Sequence, residues 1–332
     1  MLPTRPVKRN LRRNAAIDSG RDFGYNRSVN RMARKAVRKS GTRAGTARTE
    51  KIIRELWTEL PTIARGLIAE AWRHAEKRYR AFLESPDSAR EHEPKWHQWG
   101  IITHTQMFQQ HYERQVPRYL KRWGVSELVA RKLARRIDGV SKSDLLRISI
   151  PLHDLGKFFV RLWRLDADTP SDVLKFKVKF SEHDKASGRI VRRPAFRRML
   201  EARFGLTERQ VEYIAKCTER HYEFGKMRDR AKESRLGFTL RFARSPSMLK
   251  ECRRLLRENR GFQLEIALLF LADSLAKVAA SPVIRTKRQI ERELRRMRPN
   301  RTLPDALMQA PVHIAACERY LKLWAKMQTG KQ

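Results

Sequence analysis

The most reactive stretch of the chain is Ser149-Ile150-Pro151-Leu152-His153-Asp154-Leu155-Gly156-Lys157-Phe158. An imidazole stands beside a carboxylate in a run that also holds Ile148, Ile150, Leu152 and Leu155. Burying two such groups among aliphatic side chains is costly unless something satisfies them. A divalent cation does so: His offers a nitrogen, Asp an oxygen, and one carboxylate can bridge two ions.

A second carboxylate raises the same question. Ile266, Leu269, Phe270 and Asp273 recur at helical steps, so Asp273 shares an apolar face. An ionised Asp there needs a metal or a cationic partner such as one of the many Arg.

The string His-Asp-Leu-Gly-Lys resembles the signature of the HD superfamily of metal-dependent phosphohydrolases. The resemblance spans about residues 95–280. Four further residues match its order: His104 in Ile-Ile-Thr-His-Thr as the opening histidine, His183 in Ser-Glu-His-Asp-Lys-Ala-Ser-Gly, His221 at a helix end, and Asp273 as the closing aspartate. His111, two turns after His104, is the runner-up for the first position. His97 fits the mouth of a site or a packed or surface role, while His74, His92 and His313 read as surface or core residues. Asp184, in a second His-Asp pair, reads as outer-sphere or solvent-exposed.

The two extra histidines are the mark of binuclear members. The resemblance implies one ion on His104, His153, Asp154 and Asp273, and a second on Asp154, His183 and His221. Two divalent ions (Mn, Fe, Co, Ni or Mg) about 3.5–4 Å apart would share a water and lower its pKa, giving a metal-bridging hydroxide. That hydroxide would attack phosphorus in line, with Asp154 and Lys157 as catalytic residues and Lys157 also neutralising the phosphoryl oxygens.

These residues need helices to carry them. Ile52, Ile53, Leu56, Trp57 and Leu60 begin an amphipathic pattern that Pro61 is expected to kink or restart. A helix is expected up to Trp123, stopped by Gly124, with Ser126 capping the next one. Ser141 or Ser143 is expected to cap the helix delivering His153-Asp154. Later helices are expected at about 182–203, 207–222, 245–258, 262–280, 284–297 and 304–327. The Val173–Phe180 stretch alternates apolar residues with Lys and could form a short strand, but reads more readily as an exposed basic helix or loop. The expected fold is therefore all-α: an HD-domain helical bundle with a basic, disordered N-terminal arm. The expected divisions are 1–48 (arm), 49–92 (helical extension), 93–282 (HD phosphohydrolase domain with a basic segment at 226–260) and 283–332 (C-terminal helices packing on it).

Charge dominates the composition. Of 332 residues, 74 are Lys or Arg against 36 Asp or Glu, a net charge of +38. That excess points to a polyanionic partner: nucleic acid, an acidic membrane surface or phosphorylated substrates. The arm within residues 1–50 and the segment 226–260 are candidate phosphate-backbone contacts. Arg228, Arg230 and Arg235 follow His221 and, with Lys157, are candidates to bind substrate. Phe238, Phe242 and Phe262 interleave with these charges, as on a surface that stacks bases or as core residues under a solvated helix. Three separated cysteines and the lack of a membrane-length apolar run (about 20 residues), the longest candidate from Ile266 to Ala280 being interrupted by Asp273 and Lys277, suggest a cytoplasmic protein. The Arg-rich arm also fits an organelle transit peptide.

The leading expectation is a phosphohydrolase acting on a phosphoester of a nucleotide or nucleic acid. One form is a small-molecule nucleotidase or phosphodiesterase; His221-Tyr222-Glu223 is faintly similar to a string of the HD-GYP phosphodiesterases, whose Gly-Tyr-Pro element is missing. The other is a nuclease resembling the HD domains of CRISPR effector helicases. The alternative is a non-catalytic nucleic-acid-binding protein using the HD fold as a scaffold.

Overall fold

Side-chain caps start several of the helices. Ser141 accepts from the Asp144 amide, Thr239 from Phe242 and Ser245 from Met248. Thr207 and Gln210 form a reciprocal capping box. The structure is a computed structural model that describes residues 43–74, 101–160, 162–165, 176–232, 237–277 and 304–330. Most of the expected arm, the helix expected at 284–297 and Arg235 lie outside the described residues.

The chain runs through α1 (Arg43–His74), α2 (Ile101–Arg114), α3 (Val116–Arg122), α4 (Ser126–Leu133), β1 (Arg136–Ile137), β2 (Val140–Ser141) and α5 (Lys142–Ser149). A single 3-10 turn, Ile150–Leu152, leads to α6 (Leu155–Phe159), β3 (Leu162–Leu165), β4 (Phe176–Lys179) and α7 (His183–Arg192). Then come α8 (Pro194–Phe204), α9 (Glu208–Arg220), α10 (Met227–Lys232), α11 (Leu240–Arg244), α12 (Pro246–Glu258), α13 (Gln263–Ala276) and α14 (Pro304–Thr329).

The all-α class holds, with local corrections. α1 starts inside the expected arm and continues through Pro61 without a break. The helix expected to reach Trp123 is split at Gln115, two residues before Pro117. Ser126 is not a cap; Val125 holds that position without a side-chain bond. Arg193 and Pro194 divide the helix expected over 182–203 into α7 and α8.

Among the described residues two antiparallel hairpins interrupt the helices. Arg136 pairs with Ser141 and Ile137 with Val140 across an Asp138-Gly139 turn, both of whose residues have positive φ. In the second hairpin Leu162 pairs with Lys179 and Leu165 with Phe176. The alternation at Phe176–Lys179 is thus a strand, and the expected helix or loop is corrected.

The core centres on α13, buried from Leu264 to Ala276. α2 and α14 pack against it, and α7 packs against α6 and α9. A helix buried all round has no solvent-facing stripe, so Asp273 on it needs partners from its neighbours. Cys217, Cys252 and Cys317 are free and buried. No helix among the described residues is long and apolar enough to cross a membrane.

Candidate metal centre

Five segments deliver the expected residues to one buried spot. His104 projects from α2, His153 and Asp154 sit between the 3-10 turn and α6, and His183 begins α7. His221 closes α9 and Asp273 comes from α13. Gly156 makes the close approach of α6 to α7 possible: a Cβ there would lie 2.0 Å from the His183 carbonyl oxygen. The Gly156 amide instead donates to Ser187 Oγ at 2.8 Å, and Ser187 donates to that same His183 carbonyl at 2.9 Å. Gly188 does the same for α7 on α9, where a Cβ would lie 2.7 Å from Glu219 Cβ.

The ring orientations follow from local hydrogen bonds. Nδ1 of His153 lies 2.8 Å from Ile150 O, Nδ1 of His183 2.9 Å from Phe180 O, and Nδ1 of His221 2.7 Å from Thr218 O. A carbonyl only accepts, so each Nδ1 carries a hydrogen, and each neutral ring aims an Nε2 lone pair at the opposite side. All three Nε2 atoms face Asp154: His153 at 3.2 Å, His183 at 3.6 Å and His221 at 3.6 Å. His104 Nε2 lies 3.9 Å from Asp154 and 2.8 Å from Asp273 Oδ1.

Electrostatics sharpen the point. Burial pushes His153 below its ordinary value despite Asp154, and pushes His183 down to about 3, with Lys157 adding to it. Burial lowers His221, but the neighbouring Asp154 charge outweighs it, so His221 is raised. Burial alone would raise Asp154, but His153 and Lys157 hold it well below the carboxylate range. Asp273 is likewise held low against its burial, first by Lys277 and then by His104. Neutral imidazoles facing an ionised carboxylate repel it through their lone pairs, and His153 Nε2 is buried without a hydrogen bond. A cation among them removes both problems, so the donor set fits divalent metal.

The ligating atoms form two groups, each within 4.8 Å: His104, His153 and Asp154, and Asp154, His183 and His221. Asp154 belongs to both. Asp273 joins through its contact with His104. His111 lies in neither group; burial and nearby His104 push it down to about 4. His313 packs between Phe270 and Phe238 and lies in neither group; burial, then the Lys277 charge, pushes it well below its ordinary value. His92 and His97 lie outside the described residues.

Lys157 is buried and bonds Asp154 Oδ2 at 2.7 Å. Lys277, seen in the sequence only as an interruption of an apolar run, bonds Asp273 Oδ2 at 3.2 Å. Its four-residue spacing from Asp273 was the available signal. Asp184 is buried, with Lys226 Nζ 3.8 Å away, rather than solvent-exposed. Arg228 is half-buried on α10, and Arg230 pairs with Glu251 at 3.3 Å. Phe238 and Phe242 are buried and offer no stacking surface. Phe262 stacks on Tyr213 at 5.5 Å.

The family model of the HD domain matches residues 124–277. Over that stretch, just under half of its length, the chain is similar to the HD domain. The match spans His153, Asp154, His183, His221 and Asp273, while His104 precedes it and reaches the cluster through α2. HD domains mark a superfamily of metal-dependent phosphohydrolases. No curated protein matches the chain.

Proposed function

We propose that this HD domain is a binuclear phosphohydrolase that cleaves a phosphoester of a nucleotide or nucleic acid. One observation carries the reading: Asp154 is shared by two ligand groups, as a carboxylate bridging two ions must be. His104, His153, Asp154 and Asp273 would hold one ion and Asp154, His183 and His221 the other. Their nitrogen and oxygen donors suit Mn, Fe, Co, Ni or Mg. Bound ions of this kind supply Lewis acidity and lower the pKa of water.

The chain's own groups do the rest. The three Nδ1–H bonds to backbone carbonyls lock the rings so that Nε2 faces inward, the outer-sphere support that metal histidines require. Lys157 puts an ammonium beside the shared carboxylate, in reach of charge that grows on phosphoryl oxygens. The burial of the cluster strengthens each of these interactions. A purely structural HD scaffold leaves the converging Nε2 lone pairs unexplained.

The test is a Mn-supplemented screen of mononucleotides, cyclic dinucleotides, single-stranded DNA and RNA. Hydrolysis of one class, abolished in the double variant His153→Ala, Asp154→Ala, is the expected result. A metal-loaded protein that cleaves none of them overturns the reading.

A further inference from the structure

Acidic residues are distributed unevenly over the described surface. On α1, Glu50 pairs with Arg147, Glu55 and Glu59 with Arg203, and Glu70 with Arg193. On α9, Glu212 and Glu219 hold Arg192. These faces are largely neutralised. α11 and α12 differ. Arg241, Arg244, Lys250, Arg253, Arg257 and Arg260 are all exposed. The carboxylates nearest in sequence are engaged elsewhere: Glu251 holds Arg230 and Arg254, and Glu258 lies 3.4 Å from Arg254. None of the six cations pairs with a carboxylate among the described residues.

The helix geometry gathers these charges. Met248, Cys252, Leu255 and Leu256 form the buried face of α12. Lys250, Arg253 and Arg257 follow at i, i+3 and i+7, on the opposite face. From Lys250 to Arg257 the helix rises about 10 Å, the axial rise of about three nucleotides of one strand. A lipid surface fits this face poorly. Interfacial helices set apolar side chains beside their cations, and the one exposed large hydrophobic among the described residues is Met327, on α14.

We propose that the α11–α12 face is a binding surface for the phosphate backbone of nucleic acid. It offers cations to phosphates rather than rings to bases, because Phe238 and Phe242 are turned into the core. It selects a polymer over a free nucleotide, since only a strand engages several cations at once. Its existence does not depend on catalysis at the metal centre.

The test uses the full chain in EDTA, so that binding is read without hydrolysis. The probe is a fluorescent single-stranded oligonucleotide of about twenty nucleotides, titrated at several salt concentrations. The triple variant Lys250→Ser, Arg253→Ser, Arg257→Ser is expected to reduce the slope of log K against log salt by about 2, from about 0.7 per lost phosphate contact. A control of equal charge change on α3, Arg118→Ser, Lys121→Ser, Arg122→Ser, is expected to reduce it by less than half as much. Circular dichroism confirms that both variants fold. Equal losses in the two triples, an unchanged slope in the α12 triple, or no oligonucleotide binding by the wild type overturns the proposal. So does an α12 triple that loses phosphatidylserine vesicles but keeps the oligonucleotide.

Discussion

The Lys277 ammonium lies 3.2 Å from Oδ2 of Asp273, one helical turn upstream. The other oxygen of that carboxylate faces His104 Nε2 at 2.8 Å. Asp154 and Lys157 repeat the arrangement at 2.7 Å. Each buried carboxylate of the cluster therefore has its own lysine three or four residues on. This is how an ionised Asp is accommodated in α13, whose other residues are almost all apolar.

Lys277 sets which oxygen of Asp273 turns toward His104. Lys277→Met is expected to weaken Mn binding about 10–100-fold, as loss of an outer-sphere partner typically does. Lys277→Arg, which keeps a donor for Oδ2, is expected to retain most of the affinity. Calorimetric titration of the metal-free protein reads both, and unchanged affinity in the Met variant contradicts the role.

Gly156 is where packing and site meet. Gly156→Ala drives a methyl into the His183 carbonyl, which is backbone and cannot rotate away. The expected cost is about 1–3 kcal/mol of stability, with weaker binding of the ion assigned to His183. Gly66, on α1, has nothing within 4 Å of its would-be Cβ. Gly66→Ala is expected to stabilise by about 0.5–1 kcal/mol through helix propensity. Thermal melts of the two variants should move in opposite directions.

The buried histidines give the metal-free chain an acid-sensitive stability. His111 is pushed down to about 4 and His183 to about 3, each by burial first. His153 is also lowered. Below the ordinary histidine value of 6.5 the unfolded chain takes up protons that these folded groups refuse. Stability is then lost as pH falls from about 6.5 toward the folded values. His221, raised by Asp154, works in the opposite sense but is outnumbered. Urea denaturation in EDTA should show lower stability at pH 5 than at pH 7; equal or greater stability at pH 5 contradicts this.

The proposed ligands were legible in the sequence because each sits in a local pattern. His153-Asp154 interrupts an apolar run, and Asp273 falls on a helical stripe. The glycine of His-Asp-Leu-Gly-Lys was visible too, but not its reason, which is a contact with α7. Lys277 was missed because it looked like an interruption of hydrophobic sequence rather than a partner for Asp273. Phe238 and Phe242 alternate with charges, yet face the core; Phe238 meets His313 of α14, a contact far away in sequence. The Phe176–Lys179 strand depends on a partner, Leu162–Leu165, that local periodicity cannot identify.

The central claim is that Asp154 joins two metal sites. Calorimetric titration of Mn into the metal-free protein tests it most directly. Two equivalents should bind the wild type, and Asp154→Asn should weaken both sites while His183→Ala weakens only one. A wild type that binds no Mn, or an Asp154→Asn variant that keeps one site intact, contradicts it.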